Sequence, residues 1–232
     1  PSEDELMKDA LYREALSRKR KRKLWLTGII GVLGILIVAT GIGIAVKGDS
    51  EVKDFVLGNQ TRELAEGKWI TSEYGYPGLV ISSPKPLVRT EINVQSEGGQ
   101  QPQVTSFSWK TTPVAINATV TQLQLPSKDA IDLEALIDNN LKGIEALGFK
   151  LGLVKNDAYK TPNGAEGIKT FGSGTFTQPN VKGSISIDYA SLTFQAETNI
   201  QILTLIWKSD DEYAKQIADR MLASLELQKG EN

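Results

Sequence analysis

The sequence predicts an α+β domain, in which an antiparallel sheet is layered with helices, preceded by a single transmembrane helix. Three observations support this class. Residues 24–46 carry no charged side chain and directly follow six consecutive cations. Residues 133–147 have apolar side chains at helical spacing, and segments rich in β-branched and aromatic residues lie on both sides of that helix. Strands, a helix, further antiparallel strands and a last helix are typical of an α+β layered domain.

The uncharged run of residues 24–46 is the predicted membrane span. A bilayer core about 30 Å thick is crossed by about 20 helical residues, so this run is long enough. Cations are retained on the cytoplasmic side of a membrane, and six of them precede the run: Arg18, Lys19, Arg20, Lys21, Arg22 and Lys23. We therefore expect a cytoplasmic N-terminus at the plasma (inner) membrane and an extracytoplasmic, for example periplasmic, C-terminal domain.

A cleaved signal peptide is the alternative interpretation of a basic segment followed by an apolar one. The apolar region of a signal peptide is about 7–15 residues long, which is shorter than residues 24–46. No clear small-x-small cleavage site follows that run. The sequence therefore favours an uncleaved signal anchor.

The predicted cytoplasmic tail is residues 1–23, which combine a basic end with an amphipathic helix. Ser2 and Glu5 form a capping-box pattern, and apolar residues then recur at helical spacing up to Ala15. Two interpretations stay open for this helix. It docks on the cytoplasmic face of a partner, or it lies in the lipid interface.

Small residues within the predicted span indicate contact with other helices as well as with membrane lipid. Trp25 is expected to anchor the cytoplasmic interface. Glycines and other small residues recur four apart, which lets two helix backbones approach closely. The candidate contact residues are Gly28, Gly31, Gly34 and Gly43. We expect other subunits of a membrane complex as the partners of this surface.

Residues 47–68 are predicted as a stem, and residues 69–232 as the exported domain. Strands are predicted at residues 69–76, 79–83, 104–110 and 114–125, between turns rich in proline and glycine. In the last of these, apolar residues alternate with Asn117, Thr119 and Thr121, which indicates a strand buried on one face only.

The second half of the domain is predicted to contain two helices and four more strands. The helix at residues 132–147 presents one apolar stripe, and strands follow at residues 150–159, 165–176, 184–196 and 200–208. Ser209 and Glu212 form a capping-box pattern that starts a closing helix. Tyr74 and Tyr76, next to Pro77 in a loop, are the expected exposed contacts of the domain.

The composition disfavours several classes of chemistry. The chain has neither cysteine nor histidine, which removes disulfides, thiolate nucleophiles and the commonest general base and metal ligand. Residues 47–232 carry a net charge of −5, so no nucleic-acid partner is expected. The acidic run Asp210, Asp211 and Glu212 suits the first turn of a helix better than a metal site. We expect no catalytic residue, no cofactor and no metal, and therefore no enzyme.

Residues 69–228 resemble the PsbP/DcrB-like domain family. The resemblance rests on Tyr74-Gly75-Tyr76 followed by residues 79–84, on the helix at residues 132–147, on the turn at residues 163–167 and on Ser224-Leu225 after the last helix. It implies a central antiparallel sheet between helices and an accessory, non-enzymatic role beside a membrane complex. It implies no site residue.

Two functions follow from these expectations. The first is a single-pass, membrane-anchored accessory subunit of a larger membrane protein complex, whose folded domain lies on the extracytoplasmic side. The alternative is an extracytoplasmic module that binds a solute or a polymer and works with a membrane transporter. Chains that co-purify in mild detergent would separate the two.

Overall fold

A computed structural model describes residues 60–91, 103–109, 115–124, 133–146, 149–177 and 183–228. The predicted tail, the predicted span and the stem up to residue 59 lie outside these ranges. Among the described residues, no helix has the length and apolarity that a membrane crossing requires.

Ten strands and three helical segments make up the described chain. Residues 60–66 form the short helix α1. The other helices are α2 (Leu133–Ala146) and α3 (Glu212–Ala223). The strands are β1 (Ile70–Tyr74), β2 (Leu79–Ser83), β3 (Val88–Glu91), β4 (Gln103–Ser108), β5 (Ile116–Gln124), β6 (Phe149–Lys160), β7 (Glu166–Phe176), β8 (Ile185–Ala196), β9 (Asn199–Lys208) and β10 (Glu226–Leu227).

The strands form two antiparallel sheets rather than the one sheet that the sequence predicts. The large sheet has seven strands in the order β3-β4-β5-β9-β8-β7-β6, and the small sheet has three in the order β1-β2-β10. Every paired neighbour is antiparallel. The predicted class of antiparallel strands combined with helices is confirmed for this part of the chain.

Local sequence fixes the ends of the elements around the long hairpins. At the β6–β7 turn, Gly164 has a φ of 89°, a conformation that glycine adopts without strain. The Thr161 hydroxyl donates to Asn163 Oδ1 over 2.6 Å and closes the same turn. Helix α3 starts at Asp211, whose carboxylate accepts a hydrogen bond of 2.9 Å from the Ala214 N–H.

One face of the large sheet, here called the α3 face, is covered by α3 and the small sheet. Side chains of β5, β8 and β9 on this face, such as Val120, Leu192 and Leu203, are fully buried. From α3, Ile217 and Met221 pack into the same apolar core. Burying this area is the main stabilising contribution to the domain.

The opposite face, here called the α2 face, carries α2 near the β6 edge. Ile144 of α2 packs with Phe149, Tyr189 and Ile206 in a second core cluster. Its apolar stripe also includes Asn140, which is only 5% exposed. A polar residue in the middle of a buried stripe indicates that the surface beneath the helix is not uniformly apolar.

Several elements differ from the sequence predictions for identifiable reasons. Strands β3 and β10 were not predicted, because four and two residues are too short to show a period. The expected cap Ser209 instead donates its N–H to the Ser186 carbonyl, so the helix starts two residues later. Residues 60–66, expected in the stem, belong to the folded body, since Thr61 is buried and Leu64 packs on the core.

The expectation for β5 was also wrong on one point. Its apolar face lies in the core as predicted, but the face with Asn117, Thr119 and Thr121 is buried too, at 4–5% exposure. Alternation shows that two faces differ in chemistry, and it does not show which of them is covered.

Candidate functional site

A groove of about 400 Å³ lies on the α3 face, where β6, β7 and β8 extend beyond α3. We call it the α3 groove. The side chains that matter for its chemistry are Lys155, Lys169, Phe171, Asp188, Trp207 and Asp219. A volume of this size is in the range of pockets for small molecules, about 300–1,000 Å³.

The strand register explains why these side chains meet. Lys155 lies opposite Phe171, and Asp157 lies opposite Lys169, in the β6–β7 hairpin. Asp188 lies opposite Ser173 on β7 and opposite Trp207 on β9. Since cross-strand partners point to the same face of a sheet, all of these residues share the α3 face.

Helix α3 forms the remaining wall. The Tyr159 hydroxyl donates to the Leu222 carbonyl over 3.1 Å and ties β6 to the end of α3. Burial raises the pKa of the Tyr159 phenol, which therefore stays a neutral donor. Lys215 donates to Asp219 over 2.6 Å, and this hydrogen bond together with the Asp219 charge raises the pKa of Lys215.

Trp207 differs from the other indoles that the structure describes. The Nε1 atom of Trp69 donates to the Ala65 carbonyl over 3.1 Å, and that of Trp109 donates to the Lys85 carbonyl over 3.0 Å. Trp207 is 8% exposed, and its buried Nε1 has no acceptor among the described residues. A buried donor without a partner is costly, so this indole marks an incomplete polar environment beside the groove.

A second unusual feature is a polar row that crosses the α2 face. Following the pairing from β4 to β6, the row consists of Ser108, Thr119, Thr204, Ser191, Thr170 and Asn156. Ser191 and Thr204 hydroxyls are 3.3 Å apart. The Thr170 hydroxyl is buried and has no partner in the described chain. We call this feature the hydroxyl row.

Tyr189 lies beside the hydroxyl row and belongs to the same face. Its side chain is 1% exposed, and no hydrogen-bond partner of its hydroxyl is found among the described residues. Burial, together with the negative charge of Glu145 on α2, raises the pKa of the Tyr189 phenol. The phenol is therefore held in its neutral form beneath α2.

Around the loop after β1, one of the two tyrosines that were predicted to be exposed is exposed and the other is buried. Tyr76 is exposed, at 58%. Tyr74 is not, because it ends strand β1 and its 5% exposed ring packs on Phe107 at 5.4 Å. The Tyr74 hydroxyl accepts from the Leu87 N–H over 3.0 Å, so the expectation of an exposed Tyr74 was wrong.

Two glutamines of the large sheet hold the Tyr76 loop. Gln122 accepts from the Tyr76 N–H over 3.0 Å and donates to the Tyr76 carbonyl over 2.6 Å. Gln201 donates to the Pro77 carbonyl over 2.9 Å. Gly75 is required here, since its φ is 74° and a side chain would collide with both glutamines. The Tyr76 backbone is therefore fixed while its ring is exposed.

The remaining predicted site residues lie outside the described ranges. They are Trp25, Gly28, Gly31, Gly34 and Gly43 of the predicted span and the cations from Arg18 to Lys23. Within the described ranges, no group of acidic side chains is arranged to hold a metal ion.

Sequence reasoning missed the α3 groove, although part of the signal was present. The turn at residues 161–165 sets the register of the β6–β7 hairpin, and this register alone places Lys155 beside Phe171. The position of α3 over the sheet depends on contacts that are distant in sequence. No local pattern shows them.

Comparisons with known proteins give low similarities. No family model matches the chain, and no curated protein is similar to it in sequence. The solution structure of cyanobacterial PsbP from Synechocystis sp. PCC 6803 matches with a TM-score of 0.42 and 12% identity, over 70% of this chain and 95% of that chain. LpqN from Mycobacterium tuberculosis matches with a TM-score of 0.36 and 12% identity, over 69% and 79% of the two chains.

A structure from Bacteroides thetaiotaomicron VPI-5482 matches with a TM-score of 0.36 and 14% identity, over 71% of this chain and 49% of that chain. The PsbP structure carries the name of the family that the sequence resembles. Similarities at this level assign no ligand, partner or activity to the chain.

Proposed function

We propose that this protein is a single-pass, membrane-anchored accessory subunit of a larger membrane complex, with its folded domain on the extracytoplasmic side. The observation that carries the proposal is the one-sided charge around residues 24–46. Six cations stand before the uncharged run, and the residues after it have no matching excess. This asymmetry is the usual determinant of orientation for a helix that spans a membrane.

The Tyr76 loop supports an interaction role for the domain. An aromatic ring that is exposed while its backbone is fixed loses little conformational entropy on binding. Tyrosine is also enriched among the residues that dominate interface energies. We therefore assign Tyr76, and not the buried Tyr74, to the partner surface on the extracytoplasmic side.

Orientation is tested with a reporter fused after Asn232. We expect activity only outside the cytoplasm, and a weakened or mixed orientation when four of the six cations from Arg18 to Lys23 are replaced by glutamine. Protease added to intact spheroplasts should digest the domain. A domain that resists such treatment, yet is digested after lysis, would contradict the proposed topology.

Assembly is tested by co-purification from mild detergent. We expect the double variant Gly31→Ile/Gly43→Ile to lose partner chains, because helix packing in lipid requires close backbone approach. Leu33→Ile/Ile44→Leu is the matched control, since it changes shape in the same span without adding bulk to a glycine. Full partner stoichiometry with the glycine variant would mean that the span is only an anchor.

The domain's own contact is tested in the same assay. Tyr76→Ala should weaken association without lowering the stability of the domain. Val88→Ala is the control, because Val88 is also an exposed apolar residue, at 46%, but lies on β3. Equal partner recovery with both variants would remove Tyr76 from the interface.

A solute-binding module is the second candidate function, and one observation favours it. The α3 groove is a concave site with charged walls and an aromatic floor. An accessory subunit that only joins other chains has no need of such a site. The two functions are compatible in one molecule, because Tyr76 lies in the loop between β1 and β2, which contributes no residue to the lining of the groove.

A further inference from the structure

The walls of the α3 groove carry opposite charges. Lys155 and Lys169 stand on the β6–β7 side, while Asp188 of β8 and Asp219 of α3 stand on the other. A groove that selected a simple anion or a simple cation would have one sign of charge on both walls. This arrangement favours a ligand that carries both signs.

Some of these charges already have partners on the protein. Asp219 accepts from Lys215 over 2.6 Å, and the Lys169 ammonium stands over the Phe171 ring. Among the described residues, neither Lys155 nor Asp188 forms an ion pair, although the Asp188 charge helps to raise the pKa of Lys215 on α3. The Lys155 ammonium and the Asp188 carboxylate, on different strands, are thus the charges of the groove that stay open to a ligand.

The floor between the walls is aromatic. Phe171 lies opposite Lys155, and the Lys169 ammonium stands 5.2 Å from the centre of the Phe171 ring. Trp207 forms the next part of the lining, with the indole N–H that has no acceptor in the described chain. This orphaned donor, 8% exposed as a residue, is an observation independent of the charges.

We propose that the α3 groove binds a short zwitterionic peptide with an apolar side chain. The peptide carboxylate faces Lys155 and Lys169, its ammonium faces Asp188, and its apolar side chain covers Phe171 and Trp207. The proposal rests on the second candidate function, solute binding, and names its ligand class. It does not depend on the membrane partner.

The test uses the dipeptide alanyl-phenylalanine and three capped forms, titrated calorimetrically into the full chain in mild detergent. N-acetylation removes the ammonium, C-terminal amidation removes the carboxylate, and both together give a neutral peptide of the same shape. We expect the free dipeptide to bind most tightly, and each cap to weaken binding by about fivefold, the size of a partly exposed ion pair.

Variants then connect each charge to one end of the peptide. Lys155→Gln should remove the preference for a free carboxylate and leave the preference for a free ammonium. Asp188→Asn should do the reverse. Lys160→Gln is the matched control, because Lys160 is on the same strand but pairs with Glu166 over 3.4 Å outside the groove. A thermal midpoint equal to that of the parent chain shows that each variant is folded.

The indole N–H of Trp207 reports where the peptide binds. Its resonance, assigned with Trp207→Phe, should shift on titration, whereas those of Trp69 and Trp109 should stay in place. If the neutral peptide binds as tightly as the free one, the ligand class is wrong and the solute-binding function stands. If none of the four peptides binds at millimolar concentration, the ligand class and the solute-binding function are both overturned. The accessory-subunit proposal is unaffected.

Discussion

The central strands of the large sheet are buried on both faces, but the α2 face carries a row of polar side chains beside its apolar cluster. On the α3 face, apolar side chains of the sheet meet the apolar stripe of α3 and the small sheet. On the α2 face, the hydroxyl row crosses the sheet from β4 to β6, and Asn140 interrupts the stripe of α2. Apolar burial contributes about 1.5–3 kcal/mol per large side chain, whereas a hydrogen bond contributes about 0.5–1.5.

The comparison indicates a division of roles within one domain. The α3 face contributes most of the apolar burial that stabilises the domain. This burial is sufficient although the β6–β7 end of the face is left open as the groove. The α2 face is stabilised less per residue, and buried hydroxyls such as that of Thr170 make no hydrogen bond within the described chain. We infer that α2 is the element whose contact with the sheet opens at the lower free energy.

The largest expected difference is between two neighbours on β8 that point to opposite faces. Leu192→Ala, on the α3 face, should lower the free energy of unfolding by about 2–5 kcal/mol, because it leaves a cavity in the main core. Thr193→Ala, on the α2 face, should cost about 1 kcal/mol, since it removes one methyl group and one hydroxyl and leaves a smaller cavity. Both residues are 0–2% exposed, so burial does not separate them.

Denaturant unfolding followed by tryptophan fluorescence measures both values. Equal losses for the two variants would mean that the α2 face is packed as tightly as the α3 face. The two faces would then differ in amino-acid composition but not in their contribution to stability.

The elements themselves were largely predictable from the sequence, whereas the burial of the polar residues on the α2 face was not. Period-2 alternation located β5, and the helical stripe located α2 within one residue of its observed ends. Asn117, Thr119 and Thr121 were assigned to solvent because such residues are mostly exposed. Only the pairing of six strands, which no local pattern shows, lines Thr119 up with Thr204 and Ser191 in one row.

The candidate site was missed for a related reason. Tyr74 was expected to be an exposed contact because it lies next to the loop at Pro77, yet its side chain is buried and its phenol reaches the Leu87 N–H. The α3 groove combines a hairpin register, which a turn sequence indicates, with the placement of a helix that begins 36 residues after the hairpin ends, at Glu212 against Phe176. Sites of this kind are formed by contacts between elements that are distant in sequence.

A smaller difference is expected within the hydroxyl row itself. Thr170→Val removes a buried hydroxyl that has no partner in the described chain, and should raise the free energy of unfolding by about 1 kcal/mol. Thr204→Val removes a hydroxyl 3.3 Å from that of Ser191, and should lower it by about 1 kcal/mol.

Both substitutions replace threonine by valine, which has nearly the same shape. The informative result is therefore whether the free energy of unfolding rises or falls. If Thr170→Val destabilises the protein, an ordered water or a ligand satisfies this hydroxyl. The α2 face would then be a hydrated layer rather than a weakly bonded one.

The smallest effect concerns pH and compares one tyrosine from each face. Burial raises the pKa of both Tyr159 and Tyr189, so each phenol keeps its proton more firmly in the folded than in the unfolded chain. Their contribution to stability is therefore complete below the unfolded pKa, about 10, and is lost as pH rises through the folded values. Tyr159→Phe and Tyr189→Phe should each flatten the decline of stability above about pH 10.

At neutral pH the same two variants should differ in sign. Tyr159→Phe removes the hydrogen bond to the Leu222 carbonyl and should cost about 1 kcal/mol. Tyr189→Phe removes a buried hydroxyl without a described partner, and should be neutral or slightly stabilising. Unfolding curves of both variants at neutral and alkaline pH give the four free energies of unfolding that are compared. A loss at neutral pH for Tyr189→Phe as large as for Tyr159→Phe would show that the Tyr189 hydroxyl is bonded beneath α2, and would remove the difference between the faces.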